Sequence, residues 1–204
     1  IEINQPANIN NNVVTPLFRV CYKEKFDVVE VLLKDERINF FEAVMYMCQH
    51  VNKVKTVIAC LEAGPGINRA DAFGRTPLHY ACAKGNRKVV ELLLEKGANF
   101  KAGDNKGVTP LHVACSQGNR EVVKLLLDKG ANVDASTEEL NGKRLTPLLV
   151  ACIKNHTDVI KVLLDAGADV KTAPNKYSDI LNMLKRKKQK EADNDETKST
   201  LRFF

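Results

Sequence analysis

The stretch Asp71-Ala-Phe-Gly-Arg-Thr-Pro-Leu-His-Tyr-Ala-Cys82 decides the fold, because Asp104-Asn-Lys-Gly-Val-Thr-Pro-Leu-His-Val-Ala-Cys115 repeats it 33 residues on. Both copies continue in phase, to Leu92-Leu93-Leu94 and Gly97-Ala98-Asn99 in the first and to Leu125-Leu126-Leu127 and Gly130-Ala131-Asn132 in the second. A fixed period of this size marks an array of stacked units. A third copy opens at Thr146-Pro147-Leu148 with an offset of 37, so four extra residues fall near Glu138–Asn141, between units. Upstream, Thr15-Pro16-Leu17 leads to Val31-Leu32-Leu33 with the internal spacing of 16 that separates Thr76 from Leu92. A degenerate unit lies between, with Ala43–Cys48 in place of the Thr-Pro-Leu-His stretch and Val57–Gly64 in place of the Leu-rich run. Ala7-Asn8-Ile9 reads as the tail of a preceding unit, and Ile180, Leu181, Met183 and Leu184 as the first helix of a final one.

Each unit spells two helices and a turn. Thr-Pro opens the first: proline suits the first turn, where its missing N–H has no intrahelical partner, and the threonine hydroxyl can cap a free donor. Leu78, Ala81 and Cys82 fall at i, i+3 and i+4, a narrow stripe of mostly small side chains that lets neighbouring helices approach. Gly85 and Gly118 mark the turn between helices, and Asn155, the residue type after glycine that best tolerates a left-handed conformation, takes that position in the third unit. The second helix carries Val89, Val90, Leu92 and Leu93, with Glu91 and Glu95 facing out. Gly97 ends it, and a turn rich in Asp, Asn and Gly projects to the next unit. One such pair cannot bury its own stripe, so stability comes from stacking.

The sequence resembles the ankyrin repeat, whose 33-residue period and T-P-L-H-x-A signature match residues 76–81 and 109–114 letter for letter. The resemblance implies an all-α solenoid of helix-turn-helix units with projecting hairpin turns. The expected organisation is an array over 1–185, with units at 10–38, 39–68, 71–103, 104–136 and 142–173, a partial capping helix at 177–185, and a charged tail at 186–204.

Composition agrees with a folded chain: 204 residues, 44% hydrophobic and 27% charged. No apolar run reaches the ~20 residues that cross a bilayer, and the start at Ile1 rather than Met suggests a piece of a longer polypeptide. The net charge of +6 is concentrated in Lys185–Lys190, where five of six residues are basic; without them basic and acidic residues stand at 26 against 25. Global charge therefore gives no argument for nucleic-acid or membrane binding. Cys21, Cys82, Cys115 and Cys152 each sit six residues after the Thr that opens their unit, at the small buried position of the first helix. Helices stacked ~8–10 Å apart are too distant for a disulfide's ~7 Å Cα limit. Six unpaired cysteines favour a reducing compartment, cytoplasm or nucleus.

Nothing local suggests an enzyme: no Gly-rich phosphate loop, no G-x-S-x-G elbow, no H-E-x-x-H helix, and no C-x-x-C or H-x-x-x-H pair for a metal. We expect no catalytic residue, cofactor, metal or small-molecule substrate. By resemblance, His79 and His112 tie neighbouring turns through hydrogen bonds. His50 and His156 have no nucleophile or carboxylate beside them that suggests a triad, and Asp71 and Asp104 satisfy backbone donors at the turn tips.

The resemblance implies recognition of another protein along hairpin tips and the exposed side of the first helices. The positions that vary there are Tyr22 and Lys23 in the first unit; Phe73, Arg75 and Lys84 in the next full unit; Asn105, Lys106, Val108 and Gln117 in the one after; and Leu145, Ile153 and Lys154 in the last. Ala72, Ala83, Ser116, Asn11, Asn12, Val14 and His50 occupy further such positions. The charges on this surface are all positive, interleaved with Tyr22, Phe73, Leu145 and Ile153, the composition of an interaction hot spot. The expected partner is an acidic protein or peptide with apolar anchors; alternatively Phe73 and Leu145 pack on adjacent hairpins. The outer faces alternate in sign, as in Arg87, Lys88, Glu91 and Glu95, and read as solvated. The insertion lengthens one hairpin finger, as a partner contact or a surface loop. The basic run is a nuclear import signal, an anionic contact, or, the preferred reading, a helix end whose cations suit the helix dipole. Two further readings stand beside the interaction module: a regulatory or targeting region of a larger enzyme or channel, and a nuclear factor with a basic tail.

Overall fold

The computed structural model describes residues 67–138 and 144–172, and the backbone of 7–9 and 12–14. Among the described residues six α-helices form three antiparallel pairs: α1 (Pro77–Lys84) with α2 (Arg87–Glu95), α3 (Pro110–Gln117) with α4 (Arg120–Asp128), and α5 (Pro147–Ile153) with α6 (Thr157–Asp165). First helices stack on first helices and second on second, so the pairs repeat along one direction, and a short 3₁₀ turn, Val170–Thr172, follows the last. The architecture is the expected all-α solenoid. Strands β1 (Ala7–Ile9), in the stretch read as the tail of a preceding unit, and β2 (Asn12–Val14), inside the unit expected at 10–38, form a two-stranded antiparallel hairpin with Ala7 opposite Val14. The remainder of the units at 10–38 and 39–68, with Tyr22, Lys23, His50, Cys21, Cys48 and Cys60, lies outside the described residues, as do the helix at 177–185 and the charged tail.

The core follows the sequence stripe. Leu78, Ala81 and Cys82, Leu111, Ala114 and Cys115, and Leu148, Ala151 and Cys152 are buried from the first helices. Val89, Val90 and Leu93, Val122, Val123 and Leu126, and Val159, Ile160 and Leu163 meet them from the second. Each fully buried Val, Leu or Ile stabilises by about 1.5–3 kcal/mol, and alanine and cysteine keep the first-helix spacing short. Cys82, Cys115 and Cys152 are buried cysteines in no disulfide with one another. Burial pushes the Cys115 thiol far up and that of Cys152 to about 11, so both remain protonated and inert at neutral pH.

Left-handed turns join the helices at Gly85 (φ 71°), Gly118 (φ 72°) and Asn155 (φ 59°), the last as expected from sequence. Two of these turns face a side chain from the following pair. A Cβ at Gly85 would meet the Asn119 amide, and one at Gly118 would approach the His156 ring to 2.6 Å. Those side chains bridge units: Asn119 Nδ2 donates to Cys82 O (2.8 Å) and His156 Nε2 lies 3.1 Å from Ser116 O. His156, which the sequence left without a role, takes the place that Asn86 and Asn119 occupy at the start of the earlier second helices. The outer face carries exposed ion pairs, Arg87 with Glu91 at 3.0 Å and with Glu121 at 3.8 Å. Such pairs each contribute less than about 1 kcal/mol.

Candidate partner-binding groove

Aspartate builds the fingers. Asp71 Oδ1 accepts from the N–H groups of Phe73 and Arg75, both at 2.8 Å, and Asp104 Oδ1 from those of Lys106 (2.9 Å) and Val108 (3.0 Å). Burial pushes the Asp71 carboxyl up, but bonds from the Tyr80 hydroxyl (2.7 Å) and the two N–H groups, with the nearby Arg75 charge, outweigh it and hold the group below the ordinary carboxylate range. Burial, reinforced by Asp71, in turn raises the Tyr80 hydroxyl.

Thr137 stands where the third finger would have its aspartate. It is only 2% exposed; its Oγ1 accepts from Leu145 N–H (3.0 Å) and donates to Glu138 O (2.9 Å). A second bond, from Thr137 N–H to Leu145 O at 3.1 Å, closes the base of this finger. Residues 139–143, where the insertion falls, lie outside the described residues. Fingers pair side by side through Asn105 N–H to Phe73 O and Glu138 N–H to Lys106 O, both 2.9 Å.

The signature histidines tie each first helix to the following finger. His79 Nδ1 accepts from Thr76 N–H (3.1 Å), and because a backbone N–H can only donate, the ring proton sits on Nε2, which donates to Val108 O at 2.9 Å. His112 repeats the arrangement with Thr109 N–H (3.2 Å) and Leu145 O (3.0 Å). Burial lowers both pKa values below 6.5, partly opposed by those carbonyls, and keeps the rings neutral. In the third unit Leu149 replaces the histidine.

Between the fingers and the exposed side of α1, α3 and α5 runs a groove of about 470 Å³. It gathers nine of the residues expected from sequence: Arg75, Ala83, Lys106, Val108, Ser116, Gln117, Leu145, Ile153 and Lys154. Tyr80, Val113 and Val150 also line it, with parts of His79, His112, Asp104 and Thr137. Tyr80, Val113 and Val150 escape sequence reasoning because each fills the variable x of the T-P-L-H-x-A stretch; an aromatic or branched apolar side chain at that position in all three units was the available signal. Ile153 is 51% exposed at the end of α5, an open apolar side chain on the groove rim.

Phe73, Lys84 and Asn105 do not line this groove. Phe73 is 65% exposed on its fingertip, covered on one side by the Arg75 guanidinium 5.5 Å from the ring centroid. Asn105 braces the fingers, its Nδ2 donating to Ala72 O at 2.9 Å. Arg75 is shared: besides Phe73 it faces Asp104 Oδ2 at 3.8 Å, a carboxylate whose side chain is only 8% exposed. Lys106 and Lys154 are exposed and make no ion pair with a described residue. Among the described residues no group of His, Cys, Asp and Glu is placed to hold a metal, and no helix is long and apolar enough to cross a membrane.

Stacked helix pairs, fingers projecting to one side and a groove between them define a repeat solenoid. The family model for ankyrin repeats matches residues 43–137 and 104–174 in three copies, and the chain belongs to the ankyrin-repeat family, a fold that generally serves protein–protein interaction. The chain is also similar to Inversin of Gallus gallus, 39% identical over 61 residues. That segment is 30% of this chain and 6% of the length of Inversin.

Proposed function

We propose that this chain is a non-enzymatic adaptor or scaffold module that holds a partner protein or peptide on the concave face formed by fingers and first helices, and that the partner presents acidic and apolar residues. The observation that carries the reading is the groove itself, an apolar floor of valine, leucine and isoleucine with exposed lysines on its rim. Tyr80, Arg75 and an open Ile153 give it the anchoring residue types on which interface energy concentrates. Among the described residues the outer face exposes no large apolar side chain, and Arg87, Glu91, Arg120 and Glu121 are occupied with one another. The buried thiols of Cys115 and Cys152, held protonated by burial, suit a reducing compartment, cytoplasm or nucleus.

A module of this kind works equally as the targeting region of a larger protein, and in Inversin the similar segment is a small part of a long chain. Differential capture tests the reading. The wild-type chain is compared with Lys106→Glu/Lys154→Glu, on the groove, and with Lys88→Glu/Lys124→Glu, on the outer face. Specific partners are expected to be lost only with the groove pair; retention with both variants, or equal loss with both, overturns the assignment.

A further inference from the structure

Among the described residues one carboxylate lines the groove, that of Asp104, in company with the cations Arg75, Lys106 and Lys154 and the neutral His79 and His112. Its Oδ1 is held by Lys106 N–H and Val108 N–H, which leaves Oδ2 to meet the Arg75 guanidinium at 3.8 Å. The carboxylate is nearly buried, and a charge in that setting is poorly screened by water and salt. Its field reaches both neighbouring first helices: burial lowers His79 and His112, and the Asp104 charge opposes that at each. A ligand carboxylate entering the groove therefore meets a negative charge as well as positive ones.

Arg75 is the group placed to cancel it. The same guanidinium acts on Asp71 of its own finger, whose carboxyl it helps hold down, and it covers one side of the Phe73 ring. One cation thus serves two carboxylates, and little of its charge is left for a ligand. Lys106 and Lys154 are exposed and in no ion pair with a described residue, so the positive charge on offer in the groove is theirs. The neighbouring finger supplies a comparison within the chain. At the positions 33 residues on, Val108 stands in place of Arg75 and Thr137 in place of Asp104, so the cation and the carboxylate it would cover are replaced together. Thr137 closes its finger with a neutral hydroxyl. Stability does not call for the pairing, because a long ion pair with a half-exposed guanidinium contributes little.

Resting on the partner-binding reading above, we infer that Arg75 serves as the counter-ion of Asp104 and thereby sets the sign of ligand that the groove selects. With the Asp104 charge cancelled, Lys106 and Lys154 make the groove a receptor for carboxylates. With it uncovered, Asp104 repels an acidic partner and attracts a basic one. Arg75 determines specificity through Asp104, and its own charge is not the one the partner reads.

The test reads the potential in the groove of the full chain through a cysteine placed on its lining at position 113 (Val113→Cys). Its reactions with anionic sulfonatoethyl methanethiosulfonate and cationic trimethylammonioethyl methanethiosulfonate are followed at that position by mass spectrometry at low salt. In the ratio of the two rates, exposure and thiol ionisation cancel. Arg75→Gln should lower the anion-to-cation ratio at least about threefold. Asp104→Asn, whose amide oxygen still accepts from Lys106 N–H and Val108 N–H, should raise it by about the same factor. Arg75→Gln/Asp104→Asn should return to within about twofold of the parent, a recovery that a disturbed finger does not produce, and all shifts should shrink at about 1 M salt. A ratio unmoved by Asp104→Asn, or a double variant as low as Arg75→Gln alone, makes Arg75 an independent anion receptor and overturns the inference; equal ratios in all four proteins overturn it as well. The readout uses no partner, so its failure leaves concave-face recognition to the capture comparison, and failure of the capture leaves the measured charge balance of the groove intact.

Discussion

Replacing Thr137 by valine removes one hydroxyl at nearly constant volume and tests whether this threonine does the work of the aspartates in the other fingers. The Oγ1 has two bonds to lose. Glu138 is exposed and its carbonyl can turn to water, so that loss costs little. Leu145 N–H is different: it belongs to a half-buried residue whose carbonyl is already held by His112 and Thr137 N–H, so it cannot swing outward without breaking them. An unsatisfied buried donor costs about 1–3 kcal/mol; with partial access of water we expect about 1–2 kcal/mol for Thr137→Val. Thr137→Ser, which keeps the hydroxyl and gives up a methyl group, should cost at most about 1 kcal/mol. Urea denaturation gives the global difference, and amide hydrogen exchange at Leu145 reads the local one, with protection lost in the valine variant and kept in the serine variant. A valine variant as stable and as protected at Leu145 as wild type would refute the view that the hydroxyl closes this finger.

Acidification should loosen the array. His79 and His112 have folded-state pKa values lowered from 6.5, so the unfolded chain takes up protons first. Their contribution is complete above about pH 6.5 and declines as pH falls toward the folded values; a urea midpoint that rises between pH 6.5 and 5 contradicts the neutral-histidine assignment. Gly118→Ala should cost more than Gly130→Ala. Both have φ above 70°, which costs an L-residue about 1–2 kcal/mol, but only Gly118 faces the His156 ring, whereas nothing lies within 4 Å of a Cβ at Gly130. Equal losses in thermal melts count against the His156 bridge. Thiol-reactive probes read by mass spectrometry should label Cys82, Cys115 and Cys152 at least about tenfold more slowly in the native protein than in urea, as burial requires of all three and raised pKa values require of Cys115 and Cys152. Rapid native labelling of Cys115 refutes its place in the stack.

Much of this was legible because the repeat states the same physics several times. Thr-Pro, the small stripe ending in cysteine, and the left-handed Gly or Asn each has one dominant local cause, and α1 to α6 follow them. The groove residues were legible as positions, since a period of 33 carries Arg75 to Val108 and, across the insertion, to Leu145. What the sequence could not reveal were relations between units. Nothing local distinguishes Arg75, engaged by Asp104 from the next finger, from the exposed Lys154, and nothing says that Asn105 is spent on bracing Ala72. Thr137 was in phase, 33 residues after Asp104 and ahead of the insertion, but a threonine in the aspartate's place carries no sign of its role until the finger is seen closing on Leu145. His156 likewise acquires a role only through the Ser116 carbonyl of another unit.

The most direct measurement places a photo-crosslinking amino acid at position 153, on the groove rim, and in a second protein at position 88, on the outer face. Irradiation with the partner recovered by capture should yield a crosslink from position 153 that is lost with Lys106→Glu/Lys154→Glu, and none from position 88. Crosslinking from position 88 alone, or from both positions regardless of the charge reversal, contradicts recognition through the groove.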